Sequence, residues 1–163
     1  MVSNNIGLAG EFYVLHRLFL EGYEATLTLG NTKGIDILVY NPKNDKQFKV
    51  EVKTSTTKAS LKVFEKQFGK NYIKWMMNKK HESFKDKENL VYCFVFIDKN
   101  KKEEPKIFLF PSQDVGLRVR WLNKTWLHGT HKNKVKDVDM RDFIISSNNL
   151  DKNVYYNNFK IFN

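Results

Sequence analysis

Eight consecutive apolar residues, Leu90-Val91-Tyr92-Cys93-Phe94-Val95-Phe96-Ile97, constrain the fold more than any other feature of the chain. The run falls far short of the roughly 20 residues that cross a bilayer, and it is rich in β-branched and aromatic side chains. It reads as a strand over 90–98 with both faces covered, an interior position in a sheet that carries other layers on either side. The chain has 163 residues, 41% hydrophobic and 14% aromatic. That is one domain's length, taken as residues 1–163, with apolar content sufficient for a core.

The remaining segments supply those layers. Residues 6–21 read as a helix that Gly22 ends, with Leu8, Phe12, Val14, Leu15, Leu18 and Phe19 forming one apolar stripe. LTLGNTKG is a Gly- and Asn-rich turn. IDILVY (35–40) and the alternating FKVEVK (48–53), joined through NPKNDKQ, form a hairpin. The spacing predicts a helix over 71–82, a strand over 106–110, a partly helical stretch over 112–126 with Ser112 as N-cap, and a short strand over 142–146. The aromatic tail VYYNNFKIF is expected to dock on the core. The order α-β-β-(α)-β-β-α-β predicts an α/β sandwich around a mixed sheet.

With 28 Lys and Arg against 18 Asp and Glu, the net charge is +10, which favours a polyanionic partner. The N-terminal segment lacks the charged-then-apolar pattern of a secretory signal, so a cytoplasmic location and no membrane association are expected. A single cysteine, Cys93, excludes an internal disulfide framework and any CxxC metal site. His128 and His131 have no Cys or third His to complete a zinc site, and His16 and His81 receive no role.

Four residues stand out chemically. In the strand 48–53, Phe48, Val50 and Val52 point to one face and Lys49, Glu51 and Lys53 to the other. Asp36 interrupts an apolar strand and, in a hairpin, lies across from the Glu51 end. Two carboxylates on one sheet face make a hard, oxygen-rich site suited to Mg²⁺, and a neighbouring lysine can offset charge developing on a phosphate. Glu11 falls inside the apolar stripe of the first helix, where a carboxylate is costly unless paired or bound to a cation.

AGE (9–11) on a helix, GID (34–36) opening a strand and VEVKTS (50–55) together resemble the PD-(D/E)xK nuclease superfamily, including archaeal Holliday junction resolvases. Fourteen residues separate Asp36 from Glu51, and Ile35 stands where the motif's name has Pro. The resemblance, which covers about residues 5–55, implies a restriction-endonuclease-like fold: a mixed, four-stranded sheet flanked by helices. It implies Mg²⁺-dependent hydrolysis of DNA phosphodiesters, with Mn²⁺ able to substitute. It gives Asp36, Glu51 and Lys53 as catalytic residues, and Asp36, Glu51, the Val52 carbonyl and Glu11, directly or through water, as metal ligands. An endonuclease is the leading expectation; the alternative is a catalytically silent nucleic-acid-binding module of the same fold. A homodimer would match two strands with two active sites.

Lys58, Lys62, Lys66, Lys70 and Lys74 recur every four residues, and on a continuous helix they would form a basic ridge for a DNA backbone. Trp75, Met76 and Met77 read as core. The cluster Arg118, Arg120, Trp121, Lys124 and Trp126 reads as aromatic core with solvated cations.

Overall fold

A computed structural model describes residues 3–28, 34–83, 88–100 and 103–163. Much of the expected turn LTLGNTKG lies outside the described residues. The eight-residue apolar run forms β6 (Leu90–Phe96), and each of its seven residues is buried, as expected of an interior strand. It pairs in parallel with β3 (Lys46–Ser55) and antiparallel with β7 (Lys106–Pro111). On the far side of β3, the hairpin partner β2 (Ile37–Asn41) and then β1 (Glu24–Leu27) complete a five-stranded mixed sheet in the order β1-β2-β3-β6-β7. The four-stranded sheet implied by the family resemblance is therefore extended by one strand. EATL (24–27) alternates polar and apolar over only four residues, with Ala25 and Leu27 toward the core, and it pairs along the edge that β2 offers.

One face of this sheet carries α1 (Ser3–Leu20) and the C-terminal tail. Val14 and Leu18 meet Val50, Val52, Val91, Cys93 and Val95 there, and Phe159 and Phe162 close the cluster. The expected apolar stripe of α1 is corrected by this contact. Leu8, Phe12 and Phe19 are about half exposed, at 48%, 57% and 54%. The helix touches the sheet instead through Gly10, Val14 and Leu18, four residues apart, because Gly10 lets its backbone approach β3 at Thr54.

The other face carries a second sheet of three strands in the order β4-β5-β8, formed by β4 (Lys58–Ala59), β5 (Tyr72–Asn78) and β8 (Met140–Ser146). Trp75 of β5, Phe94 of β6 and Phe143 of β8 join the two sheets, with Phe94 and Phe143 stacked at 3.9 Å between ring centroids. The Trp75 indole N–H donates to the Val95 carbonyl at 2.9 Å, so this large ring is buried without an orphaned polar atom. Val115 and Val119 of α3 (Ser112–Leu127) join this cluster, and Leu122 meets Phe64 and Phe68 of α2 (Lys62–Phe68) in a third.

β5 corrects the helix expected over 71–82. Ile73, Trp75 and Met77 face the first sheet while Lys74 and Met76 face away, a period of two that the four-residue lysine spacing masks. α2 ends at Phe68, where Gly69 adopts φ +82°, and a 3-10 turn (Lys79–Glu82) follows β5. The five lysines are thus dispersed: Lys58 on β4, Lys62 and Lys66 on α2, Lys70 in a loop and Lys74 on β5, so the basic ridge does not exist. Met76 and Trp121, read as core, are 71% and 45% exposed. Ser112 is the first residue of α3 rather than its cap; the cap position is Pro111, with no side-chain hydrogen bond. Among the described residues, no helix is long and apolar enough to cross a membrane.

Candidate active site

The ladder between β2 and β3 ends with Ile37 opposite Val50, and Asp36 stands just before β2, beside the Val50–Val52 stretch of β3. Asp36 is anchored at both ends. Its backbone N–H donates to the Val50 carbonyl at 2.8 Å, and its Oδ2 accepts the Val52 N–H at 2.7 Å. The carboxylate stands in for the next rung of the ladder, which fixes its position without a side-chain partner. Val52 itself sends its side chain into the core, so it meets the site only through its backbone.

Glu51 is 4% exposed. Its Oε1 lies 2.7 Å from Lys53 Nζ and 3.2 Å from His81 Nε2, and the Tyr92 hydroxyl, opposite in the parallel register, hydrogen-bonds the same carboxylate. Burial alone would raise the Glu51 pKa, but the His81 hydrogen bond and the charge of Lys53 outweigh it and bring it to about 2. Burial and the Glu51 carboxylate push the Tyr92 hydroxyl well up, so it stays protonated as a donor. On its other side, Glu51 Oε2 faces Gly34, whose φ is +74°. A Cβ at that position would sit 3.1 Å from Oε2, so the glycine meets both a backbone and a steric demand.

Asp36 and Glu11 move the opposite way. Burial raises the Asp36 pKa and the Glu51 charge adds to this, while the Val52 N–H bond and Lys53 oppose it. Burial and then the charge of Asp36 raise Glu11, with Lys53 opposing. Glu11 reaches the site because it follows Gly10, the point where α1 meets β3. Asp36 thus feels the charge of Glu51, and Glu11 that of Asp36, while Lys53 offsets both, an arrangement that a hard divalent cation would relieve. Among the described residues, no three of His, Cys, Asp and Glu gather closely enough to hold a metal ion by themselves. Asp36 and Glu51 could contact a cation only if it kept most of its waters.

A cavity of about 510 Å³ adjoins Lys53 and is lined by Thr54, Ser55, Thr57, Lys74 and Met76 among others. A second, of about 590 Å³, lies over β1, β2 and β3 and is lined by none of Glu11, Asp36, Glu51 or Lys53. Of the candidate DNA-binding lysines, Lys74 lines the cavity beside Lys53, but it pairs with Asp142 at 3.2 Å. Lys58 pairs with Asp98 at 2.9 Å. Lys62, Lys66 and Lys70 are exposed. Nothing in the order of residues marks His81 as a neighbour of Glu51. The two are thirty residues apart, and the link exists only because β5 is a strand that delivers the following turn to the sheet face.

No family model matches the chain, and no curated protein does. The fold is shared with a solved nuclease structure at a TM-score of 0.51 and 9% identity, over 98% of this chain and 91% of the other. That structure is the bacterial homing endonuclease I-Ssp6803I. At this identity the likeness shows the fold: a mixed α/β domain built on a five-stranded sheet and flanked by helices.

Proposed function

We propose that the protein is a divalent-cation-dependent endonuclease that hydrolyses DNA phosphodiester bonds, with a PD-(D/E)xK-type site. The observation that carries this reading is the Asp36 carboxylate held on the Val52 N–H of β3, between Glu51 and the Lys53 that pairs with it, with Glu11 of α1 close enough to feel the charge of Asp36 and Lys53. The shared fold with an endonuclease supports it. Asp36 and Glu51 would hold the cation, with the Val52 carbonyl beside them and Glu11 acting through a water. A Mg²⁺ or Mn²⁺ ion bound there supplies Lewis acidity and a water of lowered pKa. Lys53 lies between Glu51 and the adjoining cavity and places positive charge where a phosphate would gain negative charge. The net charge of +10 draws the DNA backbone to the molecule.

The test is incubation of the full chain with supercoiled, linear and single-stranded DNA in the presence of Mg²⁺, Mn²⁺ or EDTA. Nicking or linearisation of the supercoiled form with either ion, lost with EDTA and in Asp36→Ala, is the expected result. Binding without cleavage of any substrate under any cation would refute the reading and leave a DNA-binding module of the same fold.

A further inference from the structure

We infer that His81 is a positioning residue for the Glu51 carboxylate, with the Tyr92 hydroxyl as its buried companion; the inference rests on the proposed nuclease site. Two nitrogen donors converge on Glu51 Oε1, Lys53 Nζ at 2.7 Å and His81 Nε2 at 3.2 Å, and they differ in freedom. The Lys53 side chain is 30% exposed and borders a cavity, so it can turn toward a bound phosphate. The His81 side chain is 3% exposed and cannot.

The ring is fixed from behind. The Asn78 backbone N–H donates to His81 Nδ1 at 3.0 Å, which makes Nδ1 the acceptor and leaves Nε2 to carry the proton toward Glu51. The His81 ring thereby caps its own turn, and it packs edge-on against Tyr92 at 5.9 Å. When Lys53 turns to substrate, Glu51 therefore keeps two buried donors and its orientation. Without them a carboxylate released by Lys53 would be free to change rotamer, and the cation would lose one of its two protein ligands.

The experiment compares wild type with His81→Gln, which keeps an N–H donor at similar reach, and His81→Met, which fills the space without one. Mn²⁺ affinity is read by calorimetry, kcat and KM for DNA by cleavage, and folding by thermal unfolding. Partners behind a metal's ligands typically contribute roughly 10–100-fold to affinity or activity. His81→Met should lose that much in Mn²⁺ affinity and kcat with KM for DNA unchanged, and His81→Gln should recover most of both. Wild-type affinity and kcat in His81→Met would overturn the inference. So would equal losses in both variants alongside equal losses in melting temperature, since the ring would then be serving only as structure. Should His81→Met fail to fold, the volume-conserving Tyr92→Phe carries the test: a fall in Mn²⁺ affinity and kcat supports the inference, and no change overturns it. A wild type that neither binds Mn²⁺ nor cuts DNA overturns the nuclease reading itself, whereas an active wild type matched by His81→Met sinks only the role of His81.

Discussion

Replacing Gly10 by alanine should destabilise the protein, although helix propensity alone argues the reverse. Alanine in a helix interior is favoured over glycine by about 1 kcal/mol. At Gly10, however, an added Cβ would stand 1.9 Å from Thr54 Oγ1, 3.0 Å from Thr54 Cβ and 3.1 Å from its Cγ2. Rotating the threonine cannot clear all three contacts, because its Cβ is fixed to β3, so α1 must lift. Overpacking of this kind costs about 1–3 kcal/mol, which outweighs the propensity gain and leaves a net loss of up to about 2 kcal/mol. For a chain of this size that lowers the melting temperature by roughly 2–4 °C per kcal/mol. The clash should vanish in a Thr54→Ala background. Thr54 Oγ1 is buried and has no hydrogen-bond partner among the described residues, so its removal sacrifices no bond. In that background Gly10→Ala should become neutral or stabilising. Thermal unfolding of the four proteins of the cycle reads the coupling, expected at about 0.5–3 kcal/mol. Stabilisation by Gly10→Ala in the wild-type background, or the same effect in both, would refute the close approach of α1 to β3 and with it the delivery of Glu11 to the site.

Asp36→Ala should abolish cleavage and Mn²⁺ binding while leaving DNA binding intact, and Lys53→Ala should keep the metal but lose most of kcat; calorimetry, cleavage and a binding titration separate the two. The Glu51 carboxyl, held at about 2 against 4.5 in the unfolded chain, contributes stability that is present above pH 4.5 and lost as pH falls toward 2. Asp36 and Glu11, raised in the fold, act with the opposite sign and favour the folded state as they protonate. Melting temperatures between pH 2 and 5 should therefore fall less steeply in Glu51→Gln than in wild type, and parallel curves would contradict the assignment. DNA affinity should drop steeply with salt, as the +10 charge displaces condensed counterions, and a log–log slope near zero would remove the polyanion reading.

The local arrangement around Glu51 and the class of fold follow from short-range rules, whereas several of the packing contacts do not. Glu51 and Lys53 share a face because strand side chains alternate, and the hairpin brings Asp36 to the Val50–Val52 stretch of β3; both follow from local rules. β6 was legible because eight apolar residues admit few alternatives. β5 was hidden because its outward residues are lysine and methionine in a lysine-rich stretch, so charge spacing imitated a helix. The stripe on α1 was misplaced because hydrophobicity marks candidates for burial, whereas the line actually buried was chosen by the absence of a side chain at Gly10. His81 could not be found from spacing, since its partner lies on another strand and the connection is purely tertiary.

The parallel pairing of β3 with β6 has an architectural consequence. Parallel neighbours cannot be joined by a tight turn, and here the connection from Ser55 to Leu90 passes through β4, α2, β5 and the His81 turn. β5 is in turn held by β8, which lies beyond residue 139. Every acidic group of the site is encoded by residue 51, yet the roof that removes Glu51 from water comes from the middle of the chain and is pinned by its last quarter. A product ending before β8 would carry all three acidic residues and lack the strand that pairs with β5, after which the His81 turn follows.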